Sequence, residues 1–462
     1  MIHQYQNNGY RIVLDVYSGA VHVMDELCYD VTEKLNEQNE NHSVETLKEP
    51  ETLRMLIDTL GSRYTEEELQ DALEDVIELT ADGKLFAPDT YGPLIGAVKQ
   101  RKTVVKALCL HIAHDCNLAC RYCFAEEGEY HGRRALMDFE TGKKALDFLI
   151  RSSGSRRNLE VDFFGGEPLM NWQVVKDLVA YGREQEKLHD KHFRFTVTTN
   201  GVLLNDEIQE FINQEMDNVV LSLDGRREIN DQMRPFRNGK GSYDLIVPKF
   251  QKLADSRDQE RYYIRGTFTR NNLDFSKDIL HFADLGFKQM SIEPVVGDET
   301  DPYAIRKEDL SLIMEEYDKL AQLMIEREKQ GKGFNFFHFM IDLEGGPCIS
   351  KRLSGCGSGT EYLSVTPWGD LYPCHQFVGQ EEFLMGNVNE GITRPEIADE
   401  FRGCSVYSKE KCKACFAKFY CSGGCMANAY NFHGTIHDAY DIGCEMQRKR
   451  VECAIMMKAA LS

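Results

Sequence analysis

The sequence has little of what marks secreted, membrane-spanning or disordered proteins. Its 462 residues include only 12 Pro and 2 Trp, and 42% of them are hydrophobic, as in an ordinary globular protein. No uninterrupted apolar run reaches the ~20 residues of a membrane span. The first residues lack the basic segment and following apolar segment of a secretory signal. We therefore expect a cytoplasmic protein with more than one core, about three domains at roughly 150 residues each.

Basic residues are scarce relative to acidic ones. The chain has 54 Lys and Arg against 75 Asp and Glu, a formal net charge of −21. Proteins that hold nucleic acid or anionic lipid by broad electrostatic attraction present a positive surface. The charge therefore predicts no nucleic-acid partner and no membrane partner.

Cysteine, in contrast, is abundant and unevenly placed. There are 15, of which ten lie from Cys348 to the C-terminus and seven from Cys404 to Cys453. Cytosolic thiols are kept reduced, so dense cysteines there bind metal more often than they form disulfides. The clustering predicts metal sites toward the C-terminal end.

Residues 1–92 have the pattern of a separate α+β unit. Two alternating segments, RIVLDV and AVHVMD, flank Tyr17-Ser18-Gly19 and predict a hairpin. Thr65 and Glu68 have the spacing of a capping box at the start of a helix. A hairpin with small helices resembles a winged-helix fold, but residues 1–90 contain 6 basic and 20 acidic residues, a balance of −14. This charge would repel phosphates and argues against DNA binding.

Residues 104–332 alternate strands and helices. The predicted strands end at Ala113, Phe164, Thr199, Asp224, Thr269 and Glu293. Six such units favour a parallel sheet with right-handed crossovers, either an open doubly wound sheet or an incomplete barrel. In both folds the chemistry lies at the carboxyl ends of the strands.

Residues 333–453 break into short Gly-rich and Cys-rich pieces with few long apolar faces. Their apolar content looks too small for a conventional core. We therefore expect this part to need bound metal in order to fold.

A CxxxCxxC loop, formed by Cys116, Cys120 and Cys123, follows the first predicted strand of the α/β region. Three thiolates on so short a loop can converge on one metal centre, and a centre that normally takes four ligands is left with one open position. The alternatives are a zinc site completed by His111 or His114, or a loop that is merely rich in cysteine.

Gly165-Gly166-Glu167-Pro168 follows the second strand directly. Paired glycines allow a ligand to approach the backbone closely, and the carboxylate can accept from an ammonium group. Alone, the tetrapeptide would be read as a turn. Next to the CxxxCxxC loop, it predicts one shared pocket.

In this order of motifs, residues 104–330 resemble the radical S-adenosylmethionine (AdoMet) superfamily. The resemblance implies a partial (β/α)6 barrel whose three loop cysteines hold a [4Fe-4S] cluster with an open iron for AdoMet. It implies that Tyr122 lies near the adenine and that the Gly165–Pro168 element binds the methionine amino group. It also implies ribose and methionine contacts at the strand ends, from Thr199, Asn200, Ser222, Asp224 and Glu293. At each of these five positions, a polar residue that merely caps a strand is the alternative.

The C-terminal cysteines form a second pattern. Cys374 ends the stretch Gly369-Asp370-Leu371-Tyr372-Pro373-Cys374, and a Cys-x2-Cys-x5-Cys-x3-Cys run begins at Cys412. The pattern resembles the SPASM domain, which implies two auxiliary [4Fe-4S] clusters. The implied ligands are Cys356, Cys374 and Cys425 for the proximal cluster, and Cys412, Cys415, Cys421 and Cys444 for the distal cluster. Cys348 is the undecided fourth proximal ligand; without it, an iron stays open for a substrate thiolate. A zinc ribbon is the alternative.

Four cysteines remain outside these patterns. Cys28, Cys109 and Cys453 lie among apolar residues, which predicts buried packing. Cys404 has no assigned role; it is either a surface thiol or a thiol near a cluster.

From HQYQNNGYRIVLDV through CNLACRYCF to GGCMANAY, and so over nearly its whole length, the chain resembles the maturases of small Cys-rich SCIFF peptides, anaerobic enzymes that form thioether crosslinks. The resemblance implies three [4Fe-4S] clusters, AdoMet, an external one-electron reductant and a Cys-rich precursor peptide whose leader binds the N-terminal unit. Two alternatives are an anaerobic sulfatase-type maturase, which makes formylglycine, and a multi-cluster electron-transfer protein without substrate chemistry.

Overall fold

The computed structural model describes residues 1–38, 42–100, 103–130, 132–343 and 349–462. The N-terminal part is a three-stranded antiparallel sheet in the order β1-β2-β3, followed by helices. Its elements are β1 (Ile2–Asn7), β2 (Tyr10–Asp15), β3 (Val21–Val23), α1 (Glu26–Glu37), α2 (Val44–Leu47), α3 (Pro50–Leu60), α4 (Glu66–Ala81) and α5 (Ile95–Gln100).

The predicted hairpin is the antiparallel pair of β2 and β3. The capping box is also confirmed: Glu68 N donates to Thr65 Oγ1 at 3.3 Å, and Thr65 N donates to the Glu68 carboxylate at 2.8 Å. β1 was missed from the sequence. It joins β2 through Asn8 and Gly9, both at positive φ (47° and 85°), and Asn-Gly is the strongest short hairpin signal.

The N-terminal sheet packs on both faces. Ile12 and Leu14 belong to the main core of the protein. Ile2 and Val13 belong to a smaller core with helices α1, α3 and α4. The N-terminal part therefore has a core of its own and is also fastened to the rest of the molecule.

The central part is a parallel sheet with one helix or more after each strand. Its strands are β4 (Ala107–His114), β6 (Asn158–Gly165), β7 (His192–Thr199), β8 (Asn218–Ser222), β9 (Tyr262–Phe268) and β10 (Gln289–Pro294), and a short β5 (Ala135–Leu136) pairs antiparallel with β4. Its helices are α6 (Phe139–Ser152), α7 (Trp172–His189), α8 (Asp206–Glu215), α9 (Arg227–Met233), α10 (Tyr243–Ser256), α11 (Ser276–Asp284) and α12 (Leu310–Lys329).

Each of these parallel strands lies beside the one before it in the chain, without a reversal of order. One strand face is apolar and buried, as with Val161, Phe195 and Ile264. The opposite face carries polar side chains such as Asp162 and Arg265. A doubly wound sheet would be apolar on both faces, so the strands form an incomplete barrel with a polar lumen.

The C-terminal part extends the same sheet at both ends. β11 (Asn335–Phe336) adds in parallel to β10, and β12 (Tyr362–Val365) adds in parallel to β4. The remaining elements are β13 (Asp370–Tyr372), β14 (Gly386–Asn387), β15 (Gly391–Ile392), α13 (Ile349–Ser354), α14 (Pro395–Gly403), α15 (Glu410–Lys413), α16 (Lys418–Cys421), α17 (Met426–His433) and α18 (Asp441–Leu461).

The expectation that this part lacks a conventional core is wrong. Its apolar side chains, among them Leu363, Phe377, Phe401 and Met456, are buried in the same core as the barrel. Short segments with few apolar residues can be stable here because they add to an existing core. No helix in the described ranges is long and apolar enough to cross a membrane.

Candidate functional site

The CxxxCxxC loop lies at the carboxyl end of β4 and is held from one side. Ala119 N donates to Pro235 O and Arg121 N to Met233 O, each at 2.9 Å. Burial and then Glu167 raise the pKa of Cys116, and the neighbouring thiol of Cys120 adds to the effect. The three cysteines therefore lie in one partly buried loop at the mouth of the barrel.

The paired glycines allow β6 to approach the start of this loop. Gly166 N donates to Ala113 O at 2.7 Å, and Glu167 N donates to Asp115 O at 2.9 Å. A Cβ on Gly166 would lie 2.1 Å from Asp115 O, and one on Gly165, at φ +121°, would lie 2.3 Å from Ala113 O. These two glycines therefore allow β6 to lie close to the backbone at the start of the CxxxCxxC loop, which is called the cluster loop below.

Glu167 is fully buried and joins two strand ends. Its carboxylate accepts from Leu169 N at 3.0 Å, Thr199 Oγ1 at 2.7 Å and Asn200 N at 2.8 Å. Burial raises the pKa of this carboxyl, and the three hydrogen bonds oppose the rise. Three of the predicted site residues, Glu167, Thr199 and Asn200, thus form one hydrogen-bonded unit.

Asn200 connects that unit to the cluster loop. Its Nδ2 donates to Asn117 Oδ1 at 2.8 Å and lies 3.6 Å from Cys116 Sγ. The carboxyl ends of β4, β6 and β7 therefore meet at one place, as parallel strands require.

Tyr122 and Asp224 form a second unit, together with Arg234. The Tyr122 hydroxyl donates to the Asp224 carboxylate at 2.7 Å and accepts from Arg234 NH1 at 2.8 Å. Asp224 is fully buried, and its carboxylate lies 3.7 Å from the guanidinium of Arg234. Burial raises the pKa of Asp224, whereas Arg234 and the Tyr122 hydroxyl lower it.

Sequence reasoning missed Arg234. It lies in the β8–α10 connection, outside every motif, and only the pairing of that connection with the cluster loop brings it to Tyr122. A charged residue that is only 9% exposed marks the site in the structure, but the sequence carries no such signal.

Glu293 belongs to a different group. Its carboxylate lies 3.4 Å from His338 Nε2 and 3.7 Å from Arg450 NH1 of α18. Burial opposes ionisation, but His338, Arg450 and Arg265 lower the pKa of Glu293. Ser222 is half-buried at the end of β8, and its backbone is in register with Arg265 on β9.

The thiols of the C-terminal part fall into two further sets. Cys412, Cys415, Cys421 and Cys444 form one: burial and then Cys412 and Cys415 raise the pKa of Cys421 to about 11, and burial and then Cys421 do the same for Cys444. Cys356, Cys374 and Cys425 form the other, since burial and then Cys425 raise the pKa of Cys374, with Cys356 adding to the effect. Cys348 lies outside the described residues.

The donor sets consist of thiols, the ligands that iron–sulfur clusters take from proteins. Among the described residues, no three His, Cys, Asp or Glu side chains converge closely enough to hold one metal ion. A zinc site gathers its ligands around one atom, whereas each thiolate of a [4Fe-4S] cluster takes a different iron. His111 Nδ1 and His114 Nε2 lie 3.0 Å apart and share a hydrogen bond.

The four cysteines outside the three thiol sets are buried or partly buried. Cys109 and Cys453 are buried, as predicted, and Cys28 is only partly buried. Cys404 is fully buried, with Sγ 3.6 Å from Ile436 O and 3.4 Å from His437 Nδ1. The alternative that Cys404 is a surface thiol is therefore wrong.

Comparison with known proteins agrees with this geometry. Residues 105–247 match the family model of a 4Fe-4S single cluster domain. The radical SAM cyclopropyl synthase TigE of Paramaledivibacter caminithermalis is 22% identical over 361 residues, 72% of this chain and 70% of that protein. The cysteine-type anaerobic sulfatase-maturating enzyme of Clostridium novyi is 25% identical over 352 residues, 72% of this chain and 90% of that enzyme.

Two solved structures show the same fold. anSMEcpe with bound AdoMet has a TM-score of 0.65 at 19% identity and covers 77% of this chain and 97% of its own. Streptococcus suis SuiB, bound to its precursor peptide SuiA, has a TM-score of 0.53 at 17% identity and covers 95% of this chain and 97% of its own. Together with the motifs, these matches support a radical S-adenosylmethionine maturase of peptides or proteins, and the two solved structures show that the chain shares their fold.

Proposed function

We propose that this enzyme matures a Cys-rich precursor peptide by forming intramolecular thioether crosslinks, each between a cysteine sulfur and a carbon. The observation that carries the proposal is the place of the proximal thiols. His375, next to Cys374, lies with its ring 5.1 Å from that of Phe164 at the end of β6 and 5.7 Å from that of Phe124 in the cluster loop. A thiol site beside the first cluster loop, at one barrel mouth, suits a reaction that joins sulfur to a carbon radical.

In this proposal Cys116, Cys120 and Cys123 hold the first [4Fe-4S] cluster, the proximal thiols hold the second and the distal thiols hold the third. The residues fit, since the thiols form three separate sets of donors; Cys356 and Cys425 are exposed, and the other thiols of the sets are partly or fully buried. When bound, the first cluster and AdoMet supply one-electron chemistry that removes a hydrogen atom from a substrate carbon. An external reductant would supply the electron that AdoMet needs. Joining the substrate thiol to the carbon radical releases a proton and one electron, and the auxiliary clusters would accept that electron.

The proposed AdoMet pocket is built from the two hydrogen-bonded units. The floor of this pocket, beside Gly165, Gly166 and Pro168, is shaped by the unit of Glu167, Thr199 and Asn200. Tyr122 and Asp224 form the opposite wall, with Ser222 at the adjoining strand end and Arg234 as an addition from the structure. The contacts of Glu293 with His338 and Arg450 support a role on the β10 side of the barrel rather than at AdoMet.

The chain contributes positioning and exclusion of water. Holding a sulfur and a carbon at bonding approach removes much of the entropic barrier to joining them. The aromatic rings of Phe124, Phe164 and Tyr130 surround His111, His114 and His375 at the barrel mouth. An apolar wall of this kind keeps competing hydrogen donors away from a carbon radical.

We further propose that the leader of the precursor peptide binds at β3 of the N-terminal unit. β1 is covered by α18, because Tyr5 donates to Glu452 O at 2.9 Å. β3 pairs with β2 and with no other strand of the described chain, and Val23 is 55% exposed. An exposed edge strand accepts a peptide as an additional strand.

The acidic face of α4 suits a basic leader. All seven of its acidic residues are exposed: Glu66, Glu67, Glu68, Asp71, Glu74, Asp75 and Glu78. Neutralising Asp71, Glu74, Asp75 and Glu78, which leaves the capping box intact, should weaken leader binding at low salt and have less effect at high salt. Unchanged affinity at low salt would show that this charge serves only solubility.

A sulfatase-type maturase is the second candidate, favoured by the match to anSMEcpe. The match with anSMEcpe covers 97% of that chain but only 77% of this one, whereas the match with SuiB covers 95% of this chain. The additional length in this chain and in SuiB favours a peptide substrate with a leader over a folded sulfatase.

The test is anaerobic incubation with reductant, AdoMet and a Cys-rich candidate precursor peptide. We expect 5′-deoxyadenosine and a product lighter by two hydrogens per thioether, with fragmentation locating the sulfur–carbon bond. Cys120→Ala should abolish both, and Cys28→Ser, away from every thiol set, should keep both. A product with an aldehyde would favour the sulfatase-type reaction, and absence of 5′-deoxyadenosine from the iron-loaded enzyme would leave only the electron-transfer reading.

A further inference from the structure

Arg265 is an unpaired cation in the barrel lumen. On β9 the side chains of Ile264 and Phe268 are buried on the helix-facing side, so Arg265 points to the opposite face, where it is exposed. Within the described ranges, no hydrogen bond or ion pair joins its guanidinium to another residue. Arg194, which also faces the lumen, lies 3.7 Å from the carboxylate of Glu160.

The nearest carboxylate is already engaged. Glu293 faces His338 Nε2 at 3.4 Å and Arg450 NH1 at 3.7 Å, so the charge of this carboxylate is matched by Arg450. Arg265 acts on Glu293 electrostatically but without an ion pair. One positive charge of the lumen is therefore left without its own counter-charge.

The neighbouring side chains indicate a positive electrostatic potential around Arg265. His338 is 7% exposed, and burial, Arg450 and Arg265 lower its pKa to about 3 even though Glu293 opposes them. Arg265 also acts on His375, which follows the proximal thiol Cys374. Its backbone is in register with Ser222 of the proposed AdoMet pocket. Arg265 therefore lies on the strand next to the proposed AdoMet pocket, and its charge reaches the residue after the proximal thiol.

We propose that Arg265 binds a carboxylate of the precursor peptide inside the lumen, either an acidic side chain or the C-terminal carboxylate. The proposal rests on the proposed peptide substrate and adds which chemical group the lumen recognises. A guanidinium binds a carboxylate through two parallel hydrogen bonds, which fixes orientation as well as position. The chain has a net charge of −21 and therefore repels anionic groups over most of its surface. An arginine without an ion-pair partner in the described part of the lumen offers such a group a specific place to bind.

The first test needs no turnover. Phenylglyoxal modifies accessible arginines, and peptide mass spectrometry gives the rate at Arg265 in the iron-loaded enzyme. N-acetylglutamate α-amide and N-acetylalanine represent the side-chain and C-terminal carboxylates, and N-acetylglutamine α-amide is the neutral control. We expect one or both carboxylates to slow modification of Arg265 severalfold, the more effective one identifying the source, with little change at Arg194. Equal rates with all three compounds would overturn the proposal.

The second test uses variants with the precursor peptide. Arg265→Gln should raise KM for the peptide about tenfold, the loss of one charge-assisted pair, while kcat changes little. Arg265→Lys should recover part of the loss, and Arg194→Gln, the matched lumen control, should not change KM. Neutralising the bound carboxylate of the peptide should raise KM in wild type and add nothing in Arg265→Gln.

AdoMet also carries a carboxylate, so its affinity is measured by equilibrium dialysis in the same variants. Weaker AdoMet binding in Arg265→Gln with unchanged KM for the peptide would assign the residue to AdoMet and overturn the proposal. If wild type forms no crosslink, the proposed thioether reaction fails. The modification experiment still reports on carboxylate binding at Arg265.

Discussion

The imidazole of His3 lies flat against the ring of Phe416, with the ring centroids 3.4 Å apart and the planes within 2° of parallel. His3 Nε2 also lies 2.9 Å from the carboxylate of Glu452 on α18. Phe416 follows Cys415, so the first strand of the N-terminal unit rests directly on the loop proposed to hold the distal cluster. Lys418 strengthens this contact, with Nζ 4.7 Å from the ring centre of Tyr17.

His3→Ala should loosen the distal loop. The variant loses a stacked ring pair and a polar contact, together about 1–3 kcal/mol. Hydrogen exchange at the amides of residues 412–421 should become faster, and the thermal midpoint should fall. Gln6→Ala, an exposed position on the same strand, is the control. Unchanged exchange in His3→Ala would mean that the stack contributes nothing to holding the loop.

Gly166→Ala should disrupt the start of the CxxxCxxC loop. The new methyl group would lie 2.1 Å from Asp115 O, and because its neighbour is backbone, β6 and the loop must move apart. We expect a loss of about 1–3 kcal/mol in the free energy of unfolding and reduced iron content of the first cluster. Gly96→Ala on α5, where nothing lies within 4 Å of the added Cβ, should be neutral or stabilising by about 0.5–1 kcal/mol. Similar losses in both variants would contradict the steric explanation.

Asp162→Asn should change how stability depends on pH. Asp162 lines a polar cavity of about 520 Å3 at the amino ends of the strands, and burial followed by Glu160 raises its pKa from 3.8 to about 6. Between these values the folded state binds more protons than the unfolded state, so stability falls as pH rises from about 4 to about 6. Above pH 6 the buried charge costs up to about 3 kcal/mol.

The Asn variant lacks this charge, so its stability relative to wild type should rise across the same pH interval and level off above it. Urea unfolding at several pH values measures the difference. Glu160→Gln, whose side chain is 56% exposed in wild type, should show a smaller pH-dependent change. A constant difference between Asp162→Asn and wild type at all pH values would contradict the raised pKa.

Cys412→Ser and Cys404→Ser should separate cluster ligands from packing thiols. If three [4Fe-4S] clusters are bound, wild type holds about twelve irons per chain, and loss of the distal cluster leaves about eight. Cys404, buried against Ile436 and His437, should be replaceable without loss of iron. Iron and sulfide analysis after anaerobic reconstitution gives the numbers. About four irons in wild type would refute both auxiliary clusters.

The local sequence was informative wherever one segment contained the whole pattern. The predicted ends of the barrel strands at Thr199 and Glu293 lie within a residue of the observed ends of β7 and β10, because strand ends follow hydrophobic alternation and turn residues. The capping box of Thr65 and Glu68 was equally local. β8 ends at Ser222 rather than at Asp224. Asp224 lies beyond the strand, where its carboxylate contacts Tyr122 and Arg234.

Local sequence patterns could not predict the contacts between segments that are distant in the chain. The pairing of Arg234 with Tyr122 and of Arg450 with Glu293 joins residues far apart in the chain. Their positions depend on which loop packs on which strand end. The role of Gly166 was expected to be access for a ligand, whereas the structure shows access for the backbone at Asp115.

The sequence by itself determined the resemblance to radical S-adenosylmethionine maturases, the alternation of strands and helices, and the cysteines that are candidates for each cluster, because spacing along the chain controls which thiols can share a loop. Only the tertiary structure decided that a single core joins the barrel to the C-terminal part. It also decided that the N-terminal sheet rests on the distal loop, and that Arg265 has no ion-pair partner in the lumen among the residues that the structure describes. These features depend on packing and electrostatic balance between segments distant in the chain, and neither is encoded in any one stretch of residues.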